Sequence, residues 1–319
     1  MTARTEPPFV SGDTPALVFM NRAAGRGRAR ALLPRIRDLF QSLDFYVQFV
    51  EASSAAQLES AARQAAEQDH RVLLAMGGDG TFQALANGVF GSDVVVGILP
   101  TGGGNDFAAA LGLPRDPLRS VEMILKGRPR FVDLIGVRTA DGRTRLYAGG
   151  GGMGLDAEAV LLASGAYRKL PGRFRYIASA LRALLKHLPL TVRLEFPHSD
   201  LVPVETKSLL TAVLNTPTYG GGLRLAPDAV IDDGWLDVIS IEDLGALDVL
   251  KLLPRLTRSG ELRTSKVKRW KVRSVKISAN RPTLFHGDGE ILGPTPVEIE
   301  VVHNAVRVLA PVNEAGGAS

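Results

Sequence analysis

What most restricts the fold of this chain is how its early apolar runs alternate with helical patterns and how they end. Four runs read as strands: ALVFMN (16–21), FYVQFVE (45–51), RVLLAM (71–76) and DVVVGILP (93–100). Between them lie the helical stretch LLPRIRDLFQSL, an alanine-rich helix from Ser54 to about Gln68, and a run with Phe82, Leu85, Ala86, Val89 and Phe90 at helical spacing. Continuous apolar strands alternating with helices call for a parallel sheet covered on both faces. The expectation is an open parallel α/β domain over residues 14–133. Three of the four strands finish in glycine-rich loops, NRAAGRG, GGDGT and TGGGND. Ligands bind such sheets beyond the carboxyl ends of the strands, which is where these loops should gather.

After Asp133 the pattern changes to short β-rich segments set off by Gly, Pro and Asp turns. A sandwich-like or barrel-like β domain is expected over residues 134–305, interrupted by helices near 174–187 and 246–257. Residues 1–13 read as a tail, and 306–319 as a segment able to return to the first domain. A chain of 319 residues is long enough for two such cores. It has no cysteine, which excludes disulfides, thiolate metal sites and cysteine nucleophiles. The opening MTARTEPPFVSGDTP has no apolar core of a signal peptide, and no apolar run is long enough to cross a bilayer. A cytoplasmic protein, at most peripherally attached to membrane, is expected.

The glycine loops are where chemistry is anticipated. Gly77, Gly78 and Gly80 let backbone approach a ligand and turn N–H groups outward, and Thr81 is suited to cap the helix that follows. No lysine stands in this loop; Asp79 does, and an aspartate repels a bare phosphate. Asp79 makes sense if it accepts from ribose hydroxyls or faces a hydrated magnesium ion. The plainer alternative is a tight turn with Asp79 as a solvated cap. A second glycine loop, also ending in an acid (Asn105-Asp106), shifts the balance towards a ligand site. Arg22, Arg26 and Arg28 could grip polyphosphate or merely begin a solvated helix.

Three later stretches are similar in kind. AGGGGMGLDAEAV (148–160) sets four glycines ahead of Asp156 and Glu158. NTPTYGGGLRLAPDAVIDDGWLDV (215–238) is a long loop that could hold a cation through Asp233 and backbone carbonyls, or be an elaborate turn. LFHGDGEIL (284–292) reads as a DG turn closing a hairpin, with His286 a turn residue and not a ligand.

Taken in order, GGDGT, LPTGGGNDFA, GGMGLDAEAV, the N…YGGG…APDA…DDG loop and the late GDGE resemble the motifs of the soluble lipid kinase family. That family comprises bacterial diacylglycerol kinases and related lipid kinases, and sphingosine and ceramide kinases share its catalytic domain. The resemblance runs from about Ala16 to Val308. It implies ATP and Mg²⁺ as cofactors, held by the α/β domain, and a membrane lipid bound on the β domain. The nucleotide contacts it implies are Asn21, Arg22, Ala23, Ala24 and Gly25; Gly78, Asp79, Gly80 and Thr81; and Gly102, Gly103 and Gly104. It implies Asp106 in the magnesium network and Glu290 as the general base that removes the lipid hydroxyl proton. Asp233, with the carbonyls of Val230 and Trp235, matches a second, structural metal site, and Asp156 a contact for the acceptor head group. The chain departs from the family pattern mainly at nucleotide contacts. Arg22 stands where Pro is usual, Gln83-Ala84 where Asn-Glu is usual, and Gly103 where Thr is usual.

Two other readings stay open at this point. NAD kinases also carry GGDGT ahead of a β-rich half, and a degenerate lipid- or nucleotide-binding module would keep the fold without activity. Residues 255–281 hold ten Lys/Arg against one acid, with Trp270 in the middle. That stretch suits peripheral contact with anionic lipid, or a solvated strand edge. Nucleic acid is not an expected partner, since the stretch has few aromatics and no recognised motif. Homodimerisation is left open.

Overall fold

The computed structural model describes residues 16–21, 27–167, 172–186, 190–242, 244, 248 and 265–312. Two compact units divide the chain: residues 1–132 with 305–319, and residues 133–304.

The first unit is the expected alternation. β1 (Ala16–Asn21), α1 (Arg28–Ser42), β2 (Val47–Ala52), α2 (Ala55–Glu67), β3 (Val72–Gly77), α3 (Asp79–Val89) and β4 (Val95–Pro100) follow in turn. The strands pair in parallel in the order β4-β3-β1-β2. β3 and β4 are buried along their whole length, as their uninterrupted apolar runs require. α2 starts where the sequence marks it: the Ser54 hydroxyl accepts from the Gln57 N–H at 3.2 Å. Two short helices follow that periodicity did not reveal, α4 (Asp106–Ala110) and α5 (Pro117–Leu125). α5 has a local cause, a Pro in its first turn and the Asp116 carboxylate accepting from Leu118 N–H at 3.0 Å.

The chain then enters the second unit along β5 (Arg128–Arg138). β6 (Thr144–Tyr147), β7 (Gly150–Gly154), α6 (Leu155–Ser164), α7 (Gly172–Lys186), β8 (Leu190–Glu195), β9 (Val204–Leu214), β10 (Leu236–Glu242), β11 (Val267–Val272), β12 (Ser274–Ala279), β13 (Leu284–Gly287), β14 (Glu290–Pro294) and β15 (Val297–Ala310) complete it. The strands run in the order β14-β13-β7-β9-β8-β12-β15, with β10 beside β9 and β11 beside β10. β5 lies beside β15 and β6, and the pairings β5–β6, β7–β9, β7–β13, β8–β9, β8–β12, β9–β10, β10–β11, β12–β15 and β13–β14 are antiparallel, so the unit is the expected β-rich body. Its core gathers Tyr147, Met153, Val213, Phe285 and Ile299. β15 pairs with β12 near its start, and Arg307 and Val308 pair with β4 of the first unit's sheet. The helix expected near 246–257 lies outside the described residues. No described helix is long and apolar enough to cross a membrane.

Candidate active site

In the first unit the two glycine loops are one structure. Thr101 N–H and Gly102 N–H both donate to the Gly77 carbonyl, at 2.9 and 3.1 Å. The backbones then approach so closely that a Cβ on Gly102 would sit 2.5 Å from the Gly78 Cα. Glycine at position 102 is a steric requirement, and a Cβ on Gly78 would press to 3.2 Å from the Gly102 Cα. Asn105, at φ 59°, closes the second loop on itself: its Oδ1 accepts from Gly102 N–H at 3.1 Å and its Nδ2 donates to Gly102 O at 3.0 Å. Gly103 is exposed, with nothing within 4 Å of where a Cβ would be. It faces open space.

Asp79 does not point away from the protein. Its Oδ1 accepts from Phe107 N–H at 3.0 Å, and the N–H groups of Asp106 and Asn105 also stabilise its charge. Burial, and then the neighbouring Asp106 carboxylate, nevertheless push its pKa above the ordinary value. Asp79 therefore ties α3 to α4, and the stacked rings of Phe82 and Phe107, 4.5 Å apart, reinforce the joint. Both rings are fully buried, which contributes about 2–3 kcal/mol each. Thr81, expected to cap α3, lies inside its first turn instead, and Gly78 takes the cap position. Two oxygens in this region, Gln83 Oε1 and Thr101 Oγ1, are buried without a hydrogen-bond partner among the described residues. Asn21 ends β1. Arg22, Ala23, Ala24 and Gly25 lie outside the described residues.

In the second unit, β13 and β14 form a hairpin whose turn is Asp288-Gly289, both at positive φ (48° and 82°). The Asp288 carboxylate accepts three hydrogen bonds from consecutive backbone donors: Ala148 N–H at 2.7 Å, and Gly149 and Gly150 N–H at 3.0 Å each. Its own N–H donates to Gly150 O at 2.9 Å. The glycine run after β6 is thus an anion nest, and the anion it holds is a side chain of the protein. Glu290 follows immediately, exposed, at the first position of β14 and in register with Gly287.

Asp156, in the first turn of α6, is turned inward. Its Oδ2 accepts from Tyr219 O–H at 2.8 Å and lies 3.2 Å from His286 Nε2; the Tyr219 oxygen is 2.7 Å from the same nitrogen. Its Oδ1 accepts from Ala157 N–H at 2.8 Å. Both oxygens expected to meet a head group are engaged inside the protein. His286, read from sequence as a turn residue, is a buried residue of β13, and its Nδ1 has no partner among the described residues. Burial, and then the Asp156 charge, push the Tyr219 pKa well above the phenol range.

The long loop before β10 is anchored by Asp133, whose side chain is fully buried. Its carboxylate accepts from Gly234 N–H at 2.7 Å and Asn304 N–H at 2.9 Å, with His303 Nδ1 at 2.8 Å. Asn215, at the loop's start, donates to Asp133 O and Ala148 O. Asp233 has Lys271 Nζ 2.7 Å from its Oδ2, and its Oδ1 accepts from Trp235 N–H at 3.0 Å. Val230 and Trp235 have exposed side chains, and the Arg273 guanidinium lies 4.9 Å from the Trp235 ring. No group of three or more His, Asp or Glu among the described residues is arranged to hold a metal.

Comparison with known proteins gives these loops a family. Residues 15–137 match the model of the diacylglycerol kinase catalytic domain, and residues 151–310 that of the YegS C-terminal NAD kinase beta sandwich-like domain. The chain belongs to the diacylglycerol kinase-like lipid kinase family. This lipid kinase is 25% identical over 303 residues to the diacylglycerol kinase of Bacillus subtilis, covering 94% of this chain and 97% of that protein. It is 31% identical over 258 residues to a YegS-like lipid kinase assignment in Chromohalobacter salexigens, covering 79% of this chain and 78% of that one. The crystal structure of a candidate diacylglycerol kinase from Bacillus anthracis str. Sterne has a TM-score of 0.77, covering 96% of this chain and all (100%) of that one. At 21% identity this last match is a likeness of fold.

Residues that sequence reading missed in this kinase are Tyr219, His286, Asp133, Asn215 and the latch role of Asp288. The only local signal was a glycine run ahead of an acid. It could have been read as a nest awaiting a carboxylate, but not which carboxylate fills it.

Proposed function

We propose that this lipid kinase uses ATP and Mg²⁺ to phosphorylate a hydroxyl of diacylglycerol or a closely related lipid, with Glu290 as the general base. The observation that carries this reading is the latched turn ahead of Glu290. A carboxylate base works only if it is held within hydrogen-bond reach of the proton it removes. Three N–H donors on Asp288, two positions earlier, give the exposed Glu290 a fixed support. In this mechanism Glu290 takes the lipid hydroxyl proton at its carboxylate as the oxygen attacks. Asp156 acts at one remove, holding Tyr219 and His286 where β13 leads into that turn.

The nucleotide is assigned to the paired loops of the first unit. Gly78, Gly80, Gly103 and Gly104 offer backbone to phosphate, while Thr81 and Gly102, whose N–H groups are used within the loops, shape the site; a Cβ on Gly102 would meet the Gly78 backbone. The unpartnered oxygens of Gln83 and Thr101 are suited to donors on the nucleotide. Asp79 has a supporting role: its carboxylate holds α4, and with it Asp106, in place. A nucleotide contact is also assigned to Asn21 and to residues 22–25, on the family resemblance alone. Asp106 would hold Mg²⁺, which when bound neutralises charge on the phosphoryl group being transferred.

Contact with anionic membrane is proposed with one change of residue. Trp270 packs against Phe196, ring centroids 5.6 Å apart, and so is half-buried against the core. The exposed groups suited to a bilayer surface are Trp235 beside Arg273, and Leu161, Leu181 and Leu185 on α6 and α7.

The test is a kinase assay on purified protein with labelled ATP, Mg²⁺ and mixed micelles of diacylglycerol, phosphatidylglycerol or sphingosine, with NAD in a parallel arm. Labelled phosphatidic acid is the expected product. Labelled NADP with unlabelled lipid, or no label in any arm, would overturn the reading.

A further inference from the structure

The loop entering β10 and the strand itself carry four carboxylates, Asp228, Asp232, Asp233 and Asp237. Lys271 of β11 lies across the ladder from them: it is the register partner of Asp237 and reaches Asp233 Oδ2 at 2.7 Å. The other oxygen of Asp233 accepts from Trp235 N–H, so neither oxygen is turned to an empty space. A hard divalent cation needs about six oxygen ligands at roughly 2–2.5 Å. An ammonium group on Asp233 repels such an ion and blocks its best ligand. The remaining acids do not assemble a replacement among the described residues.

We propose that Lys271 serves as an internal cation on Asp233, so that this chain holds its long 215–235 loop against β11 without the structural metal that its family resemblance implies there. The pair is partly exposed, with side chains 44% and 25% accessible, so its value lies in occupying the position more than in bond strength. The inference is independent of which lipid or nucleotide the kinase uses.

Thermal unfolding of metal-stripped protein without nucleotide tests this, with MgCl₂ or CaCl₂ compared against KCl at constant ionic strength. In the wild type, Asp233→Asn should leave any divalent response unchanged, whatever the first unit contributes. Lys271→Met should gain an added rise in Tm of about 3 °C when the divalent ion is about tenfold above its Kd. That gain should vanish in Lys271→Met/Asp233→Asn. Lys271→Gln, which keeps a polar stem, should behave like Lys271→Met and serves if the methionine variant does not fold. A divalent-dependent rise in the wild type that Asp233→Asn abolishes would overturn the proposal. So would a folded Lys271 variant that gains no response.

Discussion

Asp79 Oδ1 accepts a hydrogen bond from Phe107 N–H at 3.0 Å, across 28 residues of sequence. The acid of the first glycine loop is therefore the cap of the helix that leaves the second. This relationship explains how the glycine loop, proposed above to meet phosphate, tolerates a negative charge: the charge is turned onto backbone donors within the protein. It also couples the two loops, because any ligand drawing on one rests on a support shared with the other.

Breaking that support should cost stability. Phe107→Ala removes the ring stacked on Phe82 and should destabilise the protein by about 3–5 kcal/mol, read from urea unfolding. Asp79→Ala orphans the α4 donors and should cost about 1–3 kcal/mol. Asp79→Asn keeps an acceptor and should cost less. Equal losses for the two Asp79 variants would contradict the capping role.

Glu290→Gln tests the base. Glu290 is exposed, so Tm should stay within error of the wild type, while kcat with lipid falls by about 10²–10⁴-fold. The apparent KM for ATP should be nearly unchanged. A variant with wild-type kcat would remove Glu290 from the mechanism.

Asp288→Ala separates support from chemistry. It leaves three consecutive N–H groups without their carboxylate, and a loss of about 2–4 kcal/mol in unfolding free energy is expected. kcat should fall as well, because Glu290 loses its fixed turn. Normal kcat in a destabilised variant would show that the latch serves folding alone.

Alkaline pH offers a separate check on the buried hydroxyls. Burial pushes both Tyr147 and Tyr219 well above the ordinary value of 10.0. A group whose folded pKa is raised contributes stability fully below its unfolded pKa and loses it as pH rises towards the folded one. The wild type should therefore lose unfolding free energy from about pH 10 upward. A Tyr147→Phe/Tyr219→Phe variant should lose less over the same interval, relative to its own value at pH 8. Parallel curves for the two proteins would refute the assignment.

What could be read from sequence follows the range of the interactions. β1, β3 and β4 were legible because strands buried on both faces announce themselves as unbroken apolar runs. α2 was legible because Ser54 caps it locally. The Asp156 cluster was not, because its partners Tyr219 and His286 lie 63 and 130 residues away. His286 looked like part of a turn since Gly287-Asp288-Gly289 follows it, yet the antiparallel pairing of β13 with β7 buries it. Trp270 looked like a membrane anchor amid basic residues until Phe196 supplied its packing partner.

β15 belongs to both units: it pairs with β12 around Val297 and with β4 around Val308. The first unit is therefore discontinuous along the polypeptide, its sheet bordered by a strand synthesised only after the whole second unit. During translation β4 waits as an open edge, an unpaired ladder of the kind that recruits other chains. A fragment ending at Val132 would keep that edge permanently. Removal of residues 305–310 would injure the first unit before the second, the reverse of what linear order leads one to expect.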